Sequence, residues 1–286
     1  MPKNYRAELT GVFGDPVDGN PTGAMEEAGY AALGLDFRYI TARVTPEDFE
    51  DAMRALRALH FRGVNLTMPH KITVLPHLDE LSEAAAIIGA VNTVVVREDG
   101  TLFGENTDGK GFVEALRAAG ETLEGRSVVL LGAGGAARAI GVECALADAA
   151  SITVVNRTIE RAEELAALIG ARTPASSRTL AWTPGLAIPE DADILINATS
   201  IGLAPNSDAR PDLDYSSIRP GLLACDVVFD PRDTLFLAAC AERGARTLDG
   251  LGMLAHQGAR NFTLWTGVNA PLDVLEAALA REFEEQ

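Results

Sequence analysis

A chain of 286 residues exceeds the size at which one hydrophobic core usually stops growing, so two compact domains are expected. With 47% hydrophobic and 23% charged residues, and no apolar run near the ~20 residues that span a bilayer, it reads as an ordinary globular protein. The formal charge of −17 excludes nucleic acid and anionic membranes as partners through bulk electrostatics, so an anionic ligand needs local basic groups.

The start, Met1-Pro2-Lys3-Asn4-Tyr5-Arg6, leads into no apolar stretch with a small-residue cleavage site, and the chain is read as cytoplasmic. In chain order, a strand near Leu9–Phe13 leads through Gly14-Asp15-Pro16 into a helix from Ala24 to Leu33. A strand over Phe37–Val44 precedes Thr45-Pro46-Glu47-Asp48, which reads as an N-cap with proline at the first helical position, and a helix to Leu59. Then come a short strand at Gly63–Leu66, helices over His70–Leu75 and Leu81–Ile88, and a strand pair at Val91–Val96 and Leu102–Glu105. A helix follows Thr107-Asp108, and a turn at Leu123–Arg126 opens the strand Ser127–Leu131. Further strands fit Ile152–Val155, Ile194–Asn197 and Leu222–Val227, with a helix over Thr234–Arg243. The last helices, from Gly250 and from Pro271, have no strand between them. This alternation is the pattern of an α/β protein. Cys144, Cys225 and Cys240, odd in number and set among apolar residues, are expected as buried reduced thiols, and no residues show metal-ligand spacing.

Val128-Val129-Leu130-Leu131 followed by Gly132-Ala133-Gly134-Gly135-Ala136-Ala137 is an apolar strand running through G-x-G-x-x-A into an Ala-rich helix. Gly132 permits the tight turn, Gly134 lets backbone approach a pyrophosphate, and Ala137 lets helix and strand pack closely. The free N–H groups and partial positive charge of the helix N-terminus then face the phosphates. The next strand ends at Val155-Asn156-Arg157-Thr158, with no acid to meet a ribose 2′-hydroxyl. Arg157 and Arg161 instead suit the 2′-phosphate of NADP; the alternative is that both are solvated helix residues paired with Glu160, Glu163 or Glu164.

Lysine occurs only at positions 3, 71 and 110, and Lys71 in Met68-Pro69-His70-Lys71 is a candidate proton donor or acceptor; taken by itself, a surface lysine is the preferred reading. Asp108 follows Asn106-Thr107, where helix capping is the plain explanation. His60, His70, His77 and His256 are read as structural or surface residues.

Across nearly its whole length the chain resembles the shikimate dehydrogenase family. The matching segments, in order, are Asn65 to Lys71, Gly89-Ala90-Val91-Asn92-Thr93, Asn106-Thr107-Asp108, Gly132 to Arg138, Asn156-Arg157-Thr158, Asn197 to Gly202, Asp226 to Pro231, and Gly252 to Gln257. The resemblance implies two domains: a Rossmann-type doubly wound parallel sheet for NADP over 108–249, and a separate α/β substrate domain over 1–107 on which 250–286 packs back. It implies Lys71 and Asp108 as the catalytic pair, and Thr67, Asn92 and Gln257 as partners of the substrate hydroxyls. Taken without it, Asn92 is a turn former and Gln257 a polar helix residue. To the cofactor site it adds Ala133, Gly135 and Ala136 of the loop, Asn156 and Thr158 beside Arg157, and Thr199, Val227 and Gly250.

The match fails in two places. The family commonly holds the substrate carboxylate with the hydroxyl pair of H-S-x-S-P after the first strand; Asn20 and Thr22 fall on those positions here, with Asp18 adding negative charge. Phe229 stands where the family usually has Tyr. These departures leave the reaction type unchanged and bear on the substrate. The expectation is an NADP(H)-dependent oxidoreductase of shikimate or a related hydroxylated ring acid, acting as monomer or homodimer on a small molecule. A paralogue for quinate, an amino analogue or a cyclitol is the alternative, and a non-catalytic nucleotide-binding regulator a further one.

Overall fold

Short β-branched runs and helical stretches alternate along the chain, and each apolar run finds a sheet to join. The computed structural model describes residues 5–284; residues 1–4, on which the reading of the N-terminal start and of Lys3 falls, and 285–286 lie outside the described residues. The chain divides into two compact units, one running to Thr107 and resuming at Ala255, the other Asp108–Leu254.

The first unit contains β1 (Glu8–Gly14), α1 (Thr22–Ala32), β2 (Phe37–Arg43), α2 (Phe49–Ala58), β3 (Gly63–Leu66), α3 (His70–Thr73), β4 (Glu80–Leu81), α4 (Glu83–Ile88), β5 (Thr93–Val96) and β6 (Leu102–Glu105). Its six-stranded mixed sheet has the order β2-β1-β3-β5-β6-β4, with β5 antiparallel to both neighbours. Adjacent residues of β1 serve opposite faces. Val12 packs with Tyr30, Tyr39, Phe262 and Trp265, while Phe13 packs with Phe49, Met53, Leu56 and Val94. Trp265 Nε1 also donates to the Val94 carbonyl at 3.1 Å, possible because Gly63 has no side chain to obstruct the indole.

After α5 (Thr107–Ala118), the second unit holds β7 (Ser127–Leu131), α6 (Gly135–Leu146), β8 (Ser151–Asn156), α7 (Ile159–Arg172), β9 (Ser176–Ala181), β10 (Leu186–Ala187), β11 (Ile194–Asn197), β12 (Leu213–Asp214), β13 (Leu223–Asp226), α8 (Leu235–Ala241) and β14 (Arg246–Leu248). Helices α9 (Leu251–Thr266) and α10 (Leu272–Glu284) complete the chain, and α10 lies against α1. The six-stranded sheet β14-β13-β11-β7-β8-β9 is parallel throughout. Its inner strands are buried along nearly their whole length, as strands covered on both faces must be. From β7 the chain winds outward through β8 and β9 on one side, then returns to β11, β13 and β14 on the other. In such sheets ligands settle outside the carboxyl ends of the two strands where the winding reverses, here β7 and β11.

Four local expectations are corrected. Helix α2 starts at Phe49 rather than Pro46, because Thr45 Oγ1 bonds the Asp48 carboxylate at 3.1 Å and Pro46 lies in the preceding turn. Leu81 belongs to β4, and α4 begins after Ser82, whose hydroxyl accepts the Ala85 N–H at 3.1 Å. The helix expected over His70–Leu75 is one turn, continued by a 3-10 turn at Leu75–His77. Strands β9, β10, β12 and β14 go beyond the expected set: two are polar edge strands of the large sheet, and the others form a two-stranded pair. Among the described residues no helix is long and apolar enough to cross a membrane, and no His/Cys/Asp/Glu group stands ready for a metal ion.

Candidate active site

The turn after β7 is shaped by backbone sterics. Gly132 has φ +112°, and a Cβ there would lie 2.8 Å from the Ala198 carbonyl oxygen, so only glycine lets the ends of β7 and β11 approach. At Gly134 and Gly135 a Cβ would meet nothing within 4 Å, which leaves open space before the N-terminus of α6. Ala137 is fully buried between helix and sheet. A cradle open at Gly134 and Gly135, lined by Ala133 and Ala136 and closed beneath by Ala137, fits a pyrophosphate.

The rest of the expected cofactor set lies at the ends of neighbouring strands. Asn156 Nδ2 donates to the Thr158 carbonyl at 2.9 Å and holds the turn after β8, on which Arg157 and Thr158 are exposed; Arg161 is exposed on the first turn of α7. The ion pair formed on α7 joins Glu164 to Arg138 at 3.2 Å, not to Arg157 or Arg161. Thr199 Oγ1 donates to Asn197 Oδ1 at 2.7 Å. A Cβ at Gly250 would lie 2.6 Å from the Val227 carbonyl oxygen, so these two backbones touch.

A buried carboxylate organises this end of the sheet. Asp226 accepts from Asn197 Nδ2 at 3.0 Å, the Val228 N–H at 3.0 Å and Thr234 Oγ1 at 2.7 Å. Burial raises its pKa to about 6, and the three donors hold it ionised at neutral pH.

In the first unit, polar residues expected to meet a substrate are joined by hydrogen bonds. Asn92 Oδ1 accepts the Thr107 N–H at 2.8 Å and Asn92 Nδ2 donates to Thr107 Oγ1 at 2.9 Å. Thr107 Oγ1 reaches Asn261 Oδ1 at 2.9 Å, and Asn261 Nδ2 donates to Gln257 Oε1 at 3.1 Å. Thr93 Oγ1 also donates to Asn261, and Asn65 links Tyr39 to the Asn92 carbonyl. Asn92, Gln257 and Asn261 are all buried, so each pairing avoids an unsatisfied group costing ~1 to 3 kcal/mol. Lys71, half-buried on α3, accepts the Val91 N–H with its carbonyl at 2.8 Å, one residue before Asn92. Thr67 N–H donates to the Phe13 carbonyl at 3.0 Å, bringing the segment after β3 against the loop after β1. Asp108, half-buried, follows Thr107 directly.

The loop after β1 closes on itself: Asn20 Oδ1 accepts the Thr22 N–H at 3.0 Å and Thr22 is buried. Asp15 pairs with Arg43 at 2.7 Å, while Asp18 is exposed.

Residues 12–94 match the model of the shikimate dehydrogenase substrate binding domain, 114–204 that of shikimate / quinate 5-dehydrogenase, and 250–280 that of the shikimate 5′-dehydrogenase C-terminal domain. The sequence is 41% identical to a shikimate dehydrogenase (NADP(+)) of Desulforamulus reducens, over 98% of this chain and 97% of the other. The chain belongs to the shikimate dehydrogenase family. Within the family's solved structures it is similar to the shikimate 5-dehydrogenase of Thermus thermophilus in complex with NADP(H) and shikimate, with 37% identity, a TM-score of 0.83, and 96% and 99% of the two chains covered. It is also similar to the ligand-free 5-ketofructose reductase of Gluconobacter sp. strain CHM43, with 46% identity, a TM-score of 0.94, and 98% and 100% covered.

Set beside the family's motifs, the structure adds residues that sequence reasoning passes over. Asn261 and Asn65 complete the polar network; Asn261 carries no signal beyond being polar, and Asn65 stands out only as the start of a family-matching segment. Arg138 lies beside the Gly-rich turn, and the sequence marks it only as the end of that motif. Glu26 on α1 is fully buried beside Tyr30, whose hydroxyl also meets Thr10 Oγ1 at 2.9 Å. Burial pushes the Glu26 pKa well above the ordinary carboxylate value and disfavours the charged form. His70, expected to be structural, is buried against Phe49 with ring centroids 4.3 Å apart.

Proposed function

We propose that this chain is an NADP(H)-dependent dehydrogenase that interconverts a ring hydroxyl and the corresponding ketone of shikimate or a related polyhydroxylated compound. The linked amides and hydroxyls of Asn92, Thr107, Asn261 and Gln257 carry this reading. With Asn261 occupying Gln257 Oε1 and Thr107 occupying Asn92 Oδ1, both amides are fixed in direction, as recognition of neighbouring substrate hydroxyls requires. Bound NADPH supplies the hydride. In the reducing direction Lys71 delivers the proton to the carbonyl oxygen, and in the oxidising direction it removes it. Asp108 accepts a hydrogen bond from the same hydroxyl. Thr67 completes the set of substrate partners. The cofactor is held by the Gly132–Ala136 turn, by Asn156, Arg157, Thr158 and Arg161 at the 2′-phosphate, and by Thr199, Val227 and Gly250. In this reading the enzyme works in the cytoplasm, as a monomer or homodimer.

A second reading, a substrate without a carboxylate, is favoured by the loop after β1. Asn20 turns its acceptor onto Thr22, and Asp18 adds a negative charge. The likeness to a 5-ketofructose reductase, named for a polyhydroxy ketone with no carboxylate, points the same way. Rates with NADP and shikimate or quinate, and with NADPH and 5-ketofructose, separate the two. Under the second reading kcat/KM for shikimate stays below the ordinary enzyme range of ~10⁴ M⁻¹s⁻¹. Asn20→Ser then shifts the ratio of specificities toward shikimate by ~1 to 3 kcal/mol. A wild-type value at or above ~10⁴ M⁻¹s⁻¹ for shikimate restores the first reading.

A further inference from the structure

Beside the Gly-rich turn of the nucleotide-binding unit is a depression lined by Ala133, Arg138, Arg161, Glu164 and Leu165. It holds an acid, which a phosphate site would not be expected to contain. Arg138 reaches it from the first turns of α6 and donates through Nη1 to Glu164 Oε1 at 3.2 Å. The Glu164 side chain is 71% exposed and that of Arg138 only 33%, so the carboxylate is loosely held by solvent-screened attraction while the guanidinium is set against the wall. Arg138 Nε is buried and has no hydrogen-bond partner. A guanidinium left incompletely satisfied by the protein, in a depression shared with Arg161, points to an anionic ligand.

We infer that Arg138 is a third guanidinium of the 2′-phosphate site and that Glu164 is an internal rival anion, holding Arg138 until the phosphate displaces it. The inference rests on the NADP reading. A phosphate dianion presents three acceptor oxygens to the guanidinium fork, against one monodentate contact from Glu164, so the exchange favours the ligand. The displaced carboxylate stays beside the dianion and opposes it, because like charges at short range repel. Glu164 therefore limits NADP affinity and has no purchase on NAD, which lacks the 2′-phosphate.

The test is titration of NADPH and NADH into wild type, Arg138→Ala and Glu164→Gln at matched ionic strength, with melting temperature as a control for folding. Arg138→Ala is expected to weaken NADPH by ~10-fold or more and to leave NADH within about twofold, since a charged hydrogen bond is lost for one ligand only. Glu164→Gln is expected to tighten NADPH by roughly 3- to 10-fold with NADH unchanged, as removal of a like charge allows. Equal losses for both cofactors in Arg138→Ala would overturn the proposal and assign the depression to the adenine ring that both carry. NADPH affinity unchanged or weakened in Glu164→Gln would overturn it too, making Glu164 a support for Arg138. Wild type binding NADH as tightly as NADPH would instead defeat the underlying NADP reading.

Discussion

Lys71→Ala is expected to lower kcat by ~10²- to 10⁴-fold while NADPH affinity stays unchanged, the usual consequence of removing a general acid–base group. Lys71 belongs to the unit that runs to Thr107, whereas the Gly132 turn, Arg157 and Arg161 belong to Asp108–Leu254, so the substitution leaves every proposed cofactor contact in place. Lys71→Arg discriminates further. Arginine keeps the positive charge but does not release a proton near neutral pH, so it should fail to restore turnover if proton transfer is the role and restore much of it if the charge alone matters. Steady-state rates with the best substrate of the panel, together with NADPH titration, decide this. Turnover within about threefold of wild type in Lys71→Ala, far short of a general acid–base loss, would reduce Lys71 to a lysine of the surface.

Arg157→Ala is expected to weaken NADPH by roughly 1.5 to 3 kcal/mol with little change for NADH, and Arg157→Ala/Arg161→Ala by more. Both guanidinium groups are exposed at the end of β8 and the start of α7, and β8 ends in Asn156-Arg157-Thr158 with no acid to meet a ribose 2′-hydroxyl. Nothing in the fold requires either side chain, so melting temperature should hold constant. The loss should shrink as salt rises, because exposed charges are screened. Equal affinity of wild type for the two cofactors would remove the basis of this assignment.

How much of this is legible in the sequence depends on whether the constraint is local. The turn from Gly132 to Ala137 is legible because each small residue answers a short-range steric demand, and the φ of +112° at Gly132 shows the demand is real. The buried strands β7, β8 and β11 are legible from short runs of Val, Ile and Leu. Strand β9, Ser176–Ala181, is not: its residues are polar and mostly exposed, and it is a strand only because β8 offers a free edge. Thr45-Pro46 misleads because a helix-start pattern and a turn pattern share the same residues, and the bond from Thr45 to Asp48 selects the turn. At the site, Lys71, Asp108, Asn92 and Gln257 stand out through family resemblance, not chemistry, since each alone has an ordinary surface or capping explanation. Asn261 escapes because its partner Thr93 lies 168 positions away. Glu26 escapes because a glutamate on a helix reads as solvent-facing, and only its place beside Tyr30 and the backbone at Gly258 reveals it as buried.

Cys144, Cys225 and Cys240 all fall within Asp108–Leu254, unbridged and buried. Burial pushes each thiol's pKa up, that of Cys240 to about 12, so almost no thiolate exists at neutral pH. Since the thiolate is the nucleophile, a maleimide reaches these sulfurs only when this part of the chain opens. The nucleotide-binding unit therefore carries its own clock, in which the slow incorporation of label under native conditions counts openings that activity assays never see. A cofactor that binds only the closed form lowers the open population, and saturating NADPH should slow labelling in proportion to one plus its concentration over Kd. Labelling unaffected by NADPH would mean that the cysteines are exposed by openings that leave the cofactor cradle intact.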